Sequence, residues 1–357
     1  MSGTFWEGKR VLVTGHTGFK GSWLSVWLHD LGAEVTGLSL PAPTEPSLFE
    51  DAAVADGLHS VIGDIRDPDA VSKVVGDCDP EIVIHLAALT LVHEGYRKPL
   101  EAYTTNVIGT ANVLQHLRDR SALRAVVSVT SDKCYRDAGG GRACREGDPL
   151  GGDDPYSSSK AAAELVTAAY RRAFFSASAS ARAVVTTARA GNVIGGGDWA
   201  TDRLIPDLIR GFLAGEAVAI RSPEAVRPWQ HVLEPLCGYL DLAEASWHDG
   251  DSRAGAWNFG PDEIHDRTVR QVADRMANLW GEGASWCLDA RVHPPETGVL
   301  RLDSAKARRE LGWQPVLSID DALQWTVEWY RARERKDDLR ETTLAQIRRY
   351  EQKRHAR

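Results

Sequence analysis

The N-terminal half of the chain alternates short apolar runs with segments of helical period. Residues 10–14, 34–40, 59–63, 82–87, 125–130 and 183–188 are short, largely apolar, β-branched runs, which predicts buried parallel strands. Residues 21–31, 68–75, 99–117 and 156–174 read as the helices between them. Strand–helix units joined by short connections predict a doubly wound parallel sheet of the Rossmann type, with ligands beyond the carboxyl ends of the strands. After Asn192 the rhythm breaks. Residues 195–199 form a loop, 203–213 a helix and 217–220 a short strand. Residues 257–260 return to the main sheet, and helices follow at 268–280 and 319–333. The expected division is a dinucleotide-binding domain over residues 1–192, rejoined by 232–260. A smaller, discontinuous substrate domain takes 193–231 and 261–357. The basic tail, 348–357, reads as a solvated or frayed end.

Composition narrows the function. The chain has 357 residues, with 50 acidic against 42 basic side chains and a net charge of −8. That sign argues against a nucleic-acid partner. It also requires any polyphosphate ligand to be met by locally placed arginines. Five widely spaced cysteines without a Cys-x-x-Cys pair predict a reduced, cytoplasmic protein. No signal-peptide pattern opens the chain, and no apolar stretch of ~20 residues predicts a membrane span. The eleven histidines lack ligand spacing, so no metal is expected.

The first candidate site is Val11-Leu-Val-Thr-Gly-His-Thr-Gly-Phe-Lys-Gly21. Gly15, Gly18 and Gly21 fall between the first strand and the first helix, where glycine permits a tight turn, close approach to a pyrophosphate and helix–strand packing. Thr17, Phe19 and Lys20 complete this expected cofactor loop at the helix N-terminus. The second strand ends Gly37-Leu-Ser-Leu40, without the usual acidic residue, which leaves NAD and NADP both open. Asp64, before Ile65, either bonds the adenine or caps the next helix. Leu86, Ala87 and Ala88 end the fourth strand with side chains small enough for the backbone to line the cofactor. His85 beside them reads as a packed strand residue.

The second candidate site is catalytic. Tyr156 and Lys160 lie four apart at the head of a long helix and share one face. A phenol with an ordinary pKa of ~10 becomes a base near neutrality only if positive charge favours the phenolate. Ser131, at the end of the fifth strand, is placed to hold the substrate oxygen. Asp132 and Lys133 follow at once as an acid and a potential base.

Taken together, Thr130-Ser-Asp-Lys-Cys-Tyr135, Asp154-Pro-Tyr-Ser-Ser-Ser-Lys160, Ala188-Arg-Ala-Gly-Asn-Val-Ile-Gly-Gly-Gly-Asp-Trp199, Arg227-Pro-Trp-Gln-His-Val232 and Leu311-Gly-Trp313 resemble the nucleotide-sugar 4,6-dehydratase branch of the extended short-chain dehydrogenase/reductase superfamily. Asp-Lys at 132–133 is similar to the CDP-glucose enzymes, where dTDP- and GDP-sugar relatives carry Asp-Glu. The resemblance implies NAD as cofactor and a CDP-sugar as substrate. It implies transient oxidation at C4, loss of water across C5 and C6, and return of hydride to C6. It assigns Asn192, Asp198, Trp199, Arg203, Arg227 and Arg301 to the substrate, and Asn106 to support of Lys160. It also implies a homodimer or homotetramer built on two helices per subunit. Leu89-Thr-Leu-Val92 and His93 depart from the family's Gln-Pro-Leu-Val and following arginine, close to where the sugar is expected. An epimerase or reductase on the same fold would need Ser131, Tyr156 and Lys160 but not Asp132 and Lys133.

Overall fold

Seven strands form the central sheet: β1 (Arg10–Thr14), β2 (Glu34–Ser39), β3 (His59–Ile62), β4 (Ile82–His85), β5 (Ala125–Val129), β6 (Val184–Arg189) and β7 (Gly255–Asn258). The computed structural model describes residues 4–136, 142–175, 183–261, 266–281, 283–289 and 301–357. The strands are mutually parallel and run in the order β7-β6-β5-β4-β1-β2-β3. The order reverses between β1 and β4, which opens a crevice at their carboxyl ends. Alternate side chains leave the sheet on opposite faces. Val11, Val13, Ile82, Ile84, Ala125 and Val127 enter one core, whereas Leu12, Val83 and Val126 enter the other. Burial on both faces explains why these strands read as largely apolar runs. The return expected at 257–260 is β7, which pairs with β6 two residues earlier.

In the first half the helices of five or more residues are α1 (Phe19–Asp30), α2 (Pro68–Cys78), α3 (Val92–Arg97), α4 (Pro99–Tyr103), α5 (Thr110–Leu117) and α6 (Pro155–Phe174). The single helix expected over 99–117 carries a π-turn at Thr104–Gly109 between α4 and α5. Such turns recur at functional sites, and this one holds Asn106. The cap of α2 is Asp67, which accepts from the Asp69 amide ahead of Pro68. Asp64 is not the cap; it is held by Arg66.

The second half contributes α7 (Leu204–Ala214), α8 (Leu233–Asp249), α9 (Val269–Trp280), α10 (Ala305–Leu311), α11 (Ile319–Glu334) and α12 (Leu339–His355). The sequence shows no periodic stripe for α8 because Leu233, Leu236, Cys237, Tyr239, Leu240, Leu242 and Ala243 are buried around its circumference. The tail is a correction. Residues 348–357 do not fray; they belong largely to α12, which packs its Ile347 and Tyr350 into the core. Tyr350 stands edge-on to Trp27 at 5.8 Å, Trp27 donates to Glu351 at 3.0 Å, and Arg354 pairs with Asp241 at 2.8 Å. The positive charges that made the tail look solvated are engaged with partners on the body. Among the described residues no helix is long and apolar enough to cross a membrane, and no group of three or more His, Cys, Asp or Glu could hold a metal.

Glu234, in the first turn of α8, joins these parts. It accepts from the Val316 and Leu317 amides at 2.9 and 2.7 Å and from Tyr350 Oη at 2.8 Å. Burial outweighs these bonds and pushes its carboxyl up to about 7. A carboxyl with a raised folded-state pKa stabilises the fold below its ordinary value of about 4.5, and that contribution is lost as pH rises toward about 7. Between those limits the parent should therefore lose up to about 3 kcal/mol relative to Glu234→Gln. Urea denaturation of both proteins from pH 4.5 to 8 checks this. Parallel stability profiles would rule out the burial of Glu234 as a titrating group.

Candidate active site

The loop from β1 into α1 has the shape of a dinucleotide cradle. Gly15 sits at φ +80°, and a Cβ there would lie 2.8 Å from Ala87 N and 2.9 Å from Ala87 Cα. Bare backbone at residue 15 and at 86–88 therefore forms one floor. Gly18 caps α1 without a side-chain hydrogen bond, so the helix's first amides can serve an anion. Thr17 Oγ1 is hydrogen-bonded to Ser39 Oγ at 2.8 Å and to Leu40 O at 2.9 Å, which pins the loop to the end of β2. His16 fills the space beside Gly37 and bonds Ser60 Oγ at 2.7 Å; burial lowers it to about 4. His85 shares hydrogen bonds with Thr14 Oγ1 (2.6 Å) and Thr110 Oγ1 (3.0 Å), and burial lowers it to about 3. It is a neutral strand residue, as the sequence predicts. Ile65 is buried against Gly109. Asp64, held by Arg66 through a side-chain bond at 2.8 Å, stays well below the usual carboxylate range. The glycine floor and open helix end fit a dinucleotide.

The catalytic residues meet at the end of β5 and the head of α6. Ser131 Oγ accepts from Lys133 N at 3.2 Å and donates to Asp132 Oδ1 at 3.0 Å. Asp154 caps α6 through Ser157 N, which places Tyr156 in the first turn and Lys160 in the second. Lys160 Nζ donates to Val129 O at 3.4 Å. Asn106 Nδ2 donates to Ser159 Oγ at 2.8 Å and to Leu89 O at 3.1 Å, and Asn106 Oδ1 accepts from Leu89 N. The π-turn thus clamps the tyrosine–lysine turn to the end of β4. Burial pushes the Tyr156 phenol up to about 12; contact with Ser131 and the charge of Arg203 pull it down, and Asp132 adds to the rise. Burial also lowers Lys160 to about 8.

Several substrate-side candidates converge on this cluster. Arg203 Nη1 donates to Asp198 Oδ2 at 2.8 Å and Nη2 to Thr90 Oγ1 at 3.4 Å. Lys20 leaves the cofactor loop toward the same cluster, with Nζ 3.5 Å from Tyr239 Oη. Burial lowers it to about 7, reinforced by Arg203 and Lys160 and opposed by Asp132 and Asp198. Asn192 has φ +50°, and its carbonyl accepts from Gln230 N. Arg227 and Arg301 are brought to one ribbon: Arg227 lies on Val226–Pro228, which pairs with Asp266–Thr268, and Arg301 Nε bonds Asp266 at 2.5 Å. Trp199 is buried edge-on to Tyr330 at 5.1 Å. The divergent His93 accepts from Arg221 Nη1 at 3.0 Å.

Sequence reasoning missed the pair beneath the site. Glu164, one turn beyond Lys160, accepts from Arg189 Nε and Nη2 at 2.9 and 2.7 Å, and both residues are buried. Thr130 and Thr187 donate to the same carboxylate, and Arg189 Nη1 donates to Tyr135 Oη at 2.7 Å. Burial alone would raise the Glu164 carboxyl, but the guanidinium and the two hydroxyls hold it below the usual range.

A glycine cradle at the switch point of a doubly wound sheet, beside Ser131, Tyr156 and Lys160, defines a nicotinamide-dependent enzyme of the short-chain dehydrogenase type. Residues 11–249 match the NAD dependent epimerase/dehydratase family, and the chain belongs to it. It is 48% identical over 337 residues to a CDP-glucose 4,6-dehydratase of Salmonella typhimurium, covering 94% of each chain. A UDP-glucose 4-epimerase of Mycolicibacterium smegmatis is 27% identical, covering 90% of this chain and 98% of that one. A dTDP-glucose 4,6-dehydratase from Streptomyces venezuelae, solved with NAD bound, superposes with a TM-score of 0.74 at 25% identity, covering 92% and 98%.

Removing one member of a buried ion pair strands the other. Arg189→Met should cost about 3–5 kcal/mol, read as a lower urea midpoint. A loss within 0.5 kcal/mol, the size of an ordinary surface substitution, would show that Glu164 finds other partners.

Proposed function

We propose that the chain dehydrates CDP-glucose to CDP-4-keto-6-deoxyglucose, with NAD as a recycled hydride carrier. The observation that carries this reading is the Asp132–Lys133 pair beside Ser131 and Tyr156. Asp132 is buried, and its Oδ2 finds no hydrogen-bond donor among the described residues. An epimerase or reductase has no use for an acid there. NAD held at the Gly15–Gly21 loop would supply the acceptor for the C4 hydride and its donor to C6. Ser131 orients the C4 hydroxyl, and Tyr156 removes its proton, with Lys160 as the neighbouring cation. The resulting ketone acidifies C5–H. Lys133 is assigned to the C5 proton or to the enolate charge it leaves, and Asp132 protonates the departing hydroxyl at C6. Asn192, Arg203, Arg227 and Arg301 are assigned to the nucleotide diphosphate, for which arginine's planar fork is suited, and Asp198 and Trp199 to the substrate more broadly.

The same reading includes the division into a dinucleotide domain and a discontinuous substrate domain, a cytoplasmic location and self-association. Leu100 is 79% exposed, Leu165 62% and Ile108 53%, on the π-containing rod and on α6. Apolar side chains so placed fit a second copy of the chain across these two helices.

Two experiments test the proposal. Deuterium at C4 of CDP-glucose should appear at C6 of the same product molecule. Asp132→Asn and Lys133→Met should still form bound reduced cofactor while product falls on the order of 10²–10⁴-fold. Turnover at the parent rate in both variants would reject the dehydratase assignment. For the assembly, Leu100→Glu with Leu165→Glu should shift sedimentation to the monomer mass; an unchanged oligomer would place the interface elsewhere.

A further inference from the structure

The proposed dehydration moves a proton as well as a hydride. Oxidation at C4 frees the hydroxyl proton, and elimination consumes one on the oxygen leaving C6. The C5 proton is lost and regained. Over one turnover a single proton therefore passes from the C4 oxygen to the C6 oxygen. The groups assigned to its two ends are Tyr156 and Asp132.

Ser131 stands between them. Its hydroxyl donates to Asp132 Oδ1 at 3.0 Å and contacts the Tyr156 phenol. The exposures of Tyr156, Ser131 and Asp132 are 7%, 5% and 3%, too low for bulk water to compete freely for the proton. Asp132 Oδ2 finds no donor among the described residues and lies against Gly191, where an added Cβ would fall on that oxygen, so the carboxyl has no room to swing that way.

We propose that Tyr156, Ser131 and Asp132 form a closed relay that carries the proton of the C4 hydroxyl to the hydroxyl leaving C6. The proposal rests on the dehydratase reading. In the first half-reaction the O4–H bond breaks and its proton bonds to the tyrosine oxygen. The tyrosine proton moves to Ser131 Oγ, the serine proton to the Asp132 carboxylate, and the C4 hydrogen leaves with its electron pair to the nicotinamide. In the second, the C5–H bond breaks, its proton passing to the group assigned to C5 and its electron pair forming C5=C6. The C6–O bond breaks and the Asp132 proton bonds to O6, so that water departs. Hydride at C6 and the returned proton at C5 complete the product. Tyrosine and serine are neutral at the end of each half, and Asp132 is again a carboxylate, so no outside acid or base enters.

The relay also accounts for a phenol pushed up to about 12 by burial, with Asp132 adding to the rise. Such a phenol need not ionise beforehand if its proton leaves as the sugar proton arrives. Protonation of Asp132 removes the negative charge that opposes it.

The test uses the whole protein with NAD bound, in weak buffer with a pH-indicator dye, mixed rapidly with CDP-glucose. In the parent, reduced cofactor should appear without proton release. Asp132→Asn should release a proton for each cofactor reduced, and Ser131→Ala should do the same, whereas Ser131→Thr, which keeps a hydroxyl, should release none for whatever cofactor it reduces. A second readout needs no cofactor: titration of phenolate absorbance, with the Tyr156 signal identified by its loss in Tyr156→Phe. Asp132→Asn should lower that midpoint, and an unchanged midpoint would overturn the coupling. Proton release by a parent that still makes product would overturn the relay alone. Absence of both reduced cofactor and product would overturn the dehydratase reading and the relay with it.

Discussion

The buried pair of Glu164 and Arg189 is the constraint on which the site depends. An ion pair removed from water is favourable only when its remaining hydrogen-bonding capacity is filled. Here the carboxylate takes four donors, from Arg189 Nε and Nη2 and from the hydroxyls of Thr130 and Thr187. The donors tie α6 to the ends of two strands. Thr130 precedes Ser131, Glu164 follows Lys160 by one helical turn, and Arg189 and Thr187 end β6. Arg189 continues to Tyr135, and Tyr135 to Asn258 on β7 at 2.7 Å. The height of Ser131 and Asp132 relative to Tyr156 and Lys160 is thus set by one electrostatic knot.

Charge is gathered where the chain as a whole would not place it. The net charge is −8, yet Lys20, Lys160 and Arg203 lie close enough to influence one another around Asp132 and Asp198. Burial is the main reason Lys20 and Lys160 fall to about 7 and about 8, and for Lys20 crowding by the cations Arg203 and Lys160 adds to it. An anionic ligand relieves that crowding. The crevice is therefore complementary to a phosphate-bearing molecule while the outer surface repels it.

Local features were legible in the sequence, and features made by distant contacts were not. The six N-terminal strands and the glycine loop read correctly because periodicity and turn chemistry act over a few residues. The single break in the 99–117 helix did not, since a π-turn leaves the apolar pattern intact. The cap of α2 was readable from Asp67 directly before Pro68, but Asp64 drew attention by its strand-end position. Glu164 and Arg189 lie far apart in sequence and share no motif. The usable signal was a glutamate on the same helix face as Tyr156 and Lys160, opposite an arginine inside an apolar strand. Burial, which raises the Tyr156 phenol, could not be read from the Tyr156–Lys160 spacing.

The departures at 89–93 can be tolerated because backbone and side chains there serve different partners. Asn106 holds Leu89 through its backbone amide and carbonyl, so the support of the Tyr156 turn does not depend on which side chain residue 89 carries. The side chains meet arginines of the second half instead: Thr90 accepts from Arg203 and His93 from Arg221. Because a guanidinium only donates, His93 must present an unprotonated nitrogen to Arg221. An arginine at position 93 could not accept that bond and would repel Arg221. Substitution within this segment therefore re-aims Arg203 and Arg221 while the Asn106 clamp on the Tyr156 turn stays fixed. A family with one redox core can serve several nucleotide sugars by that division of labour.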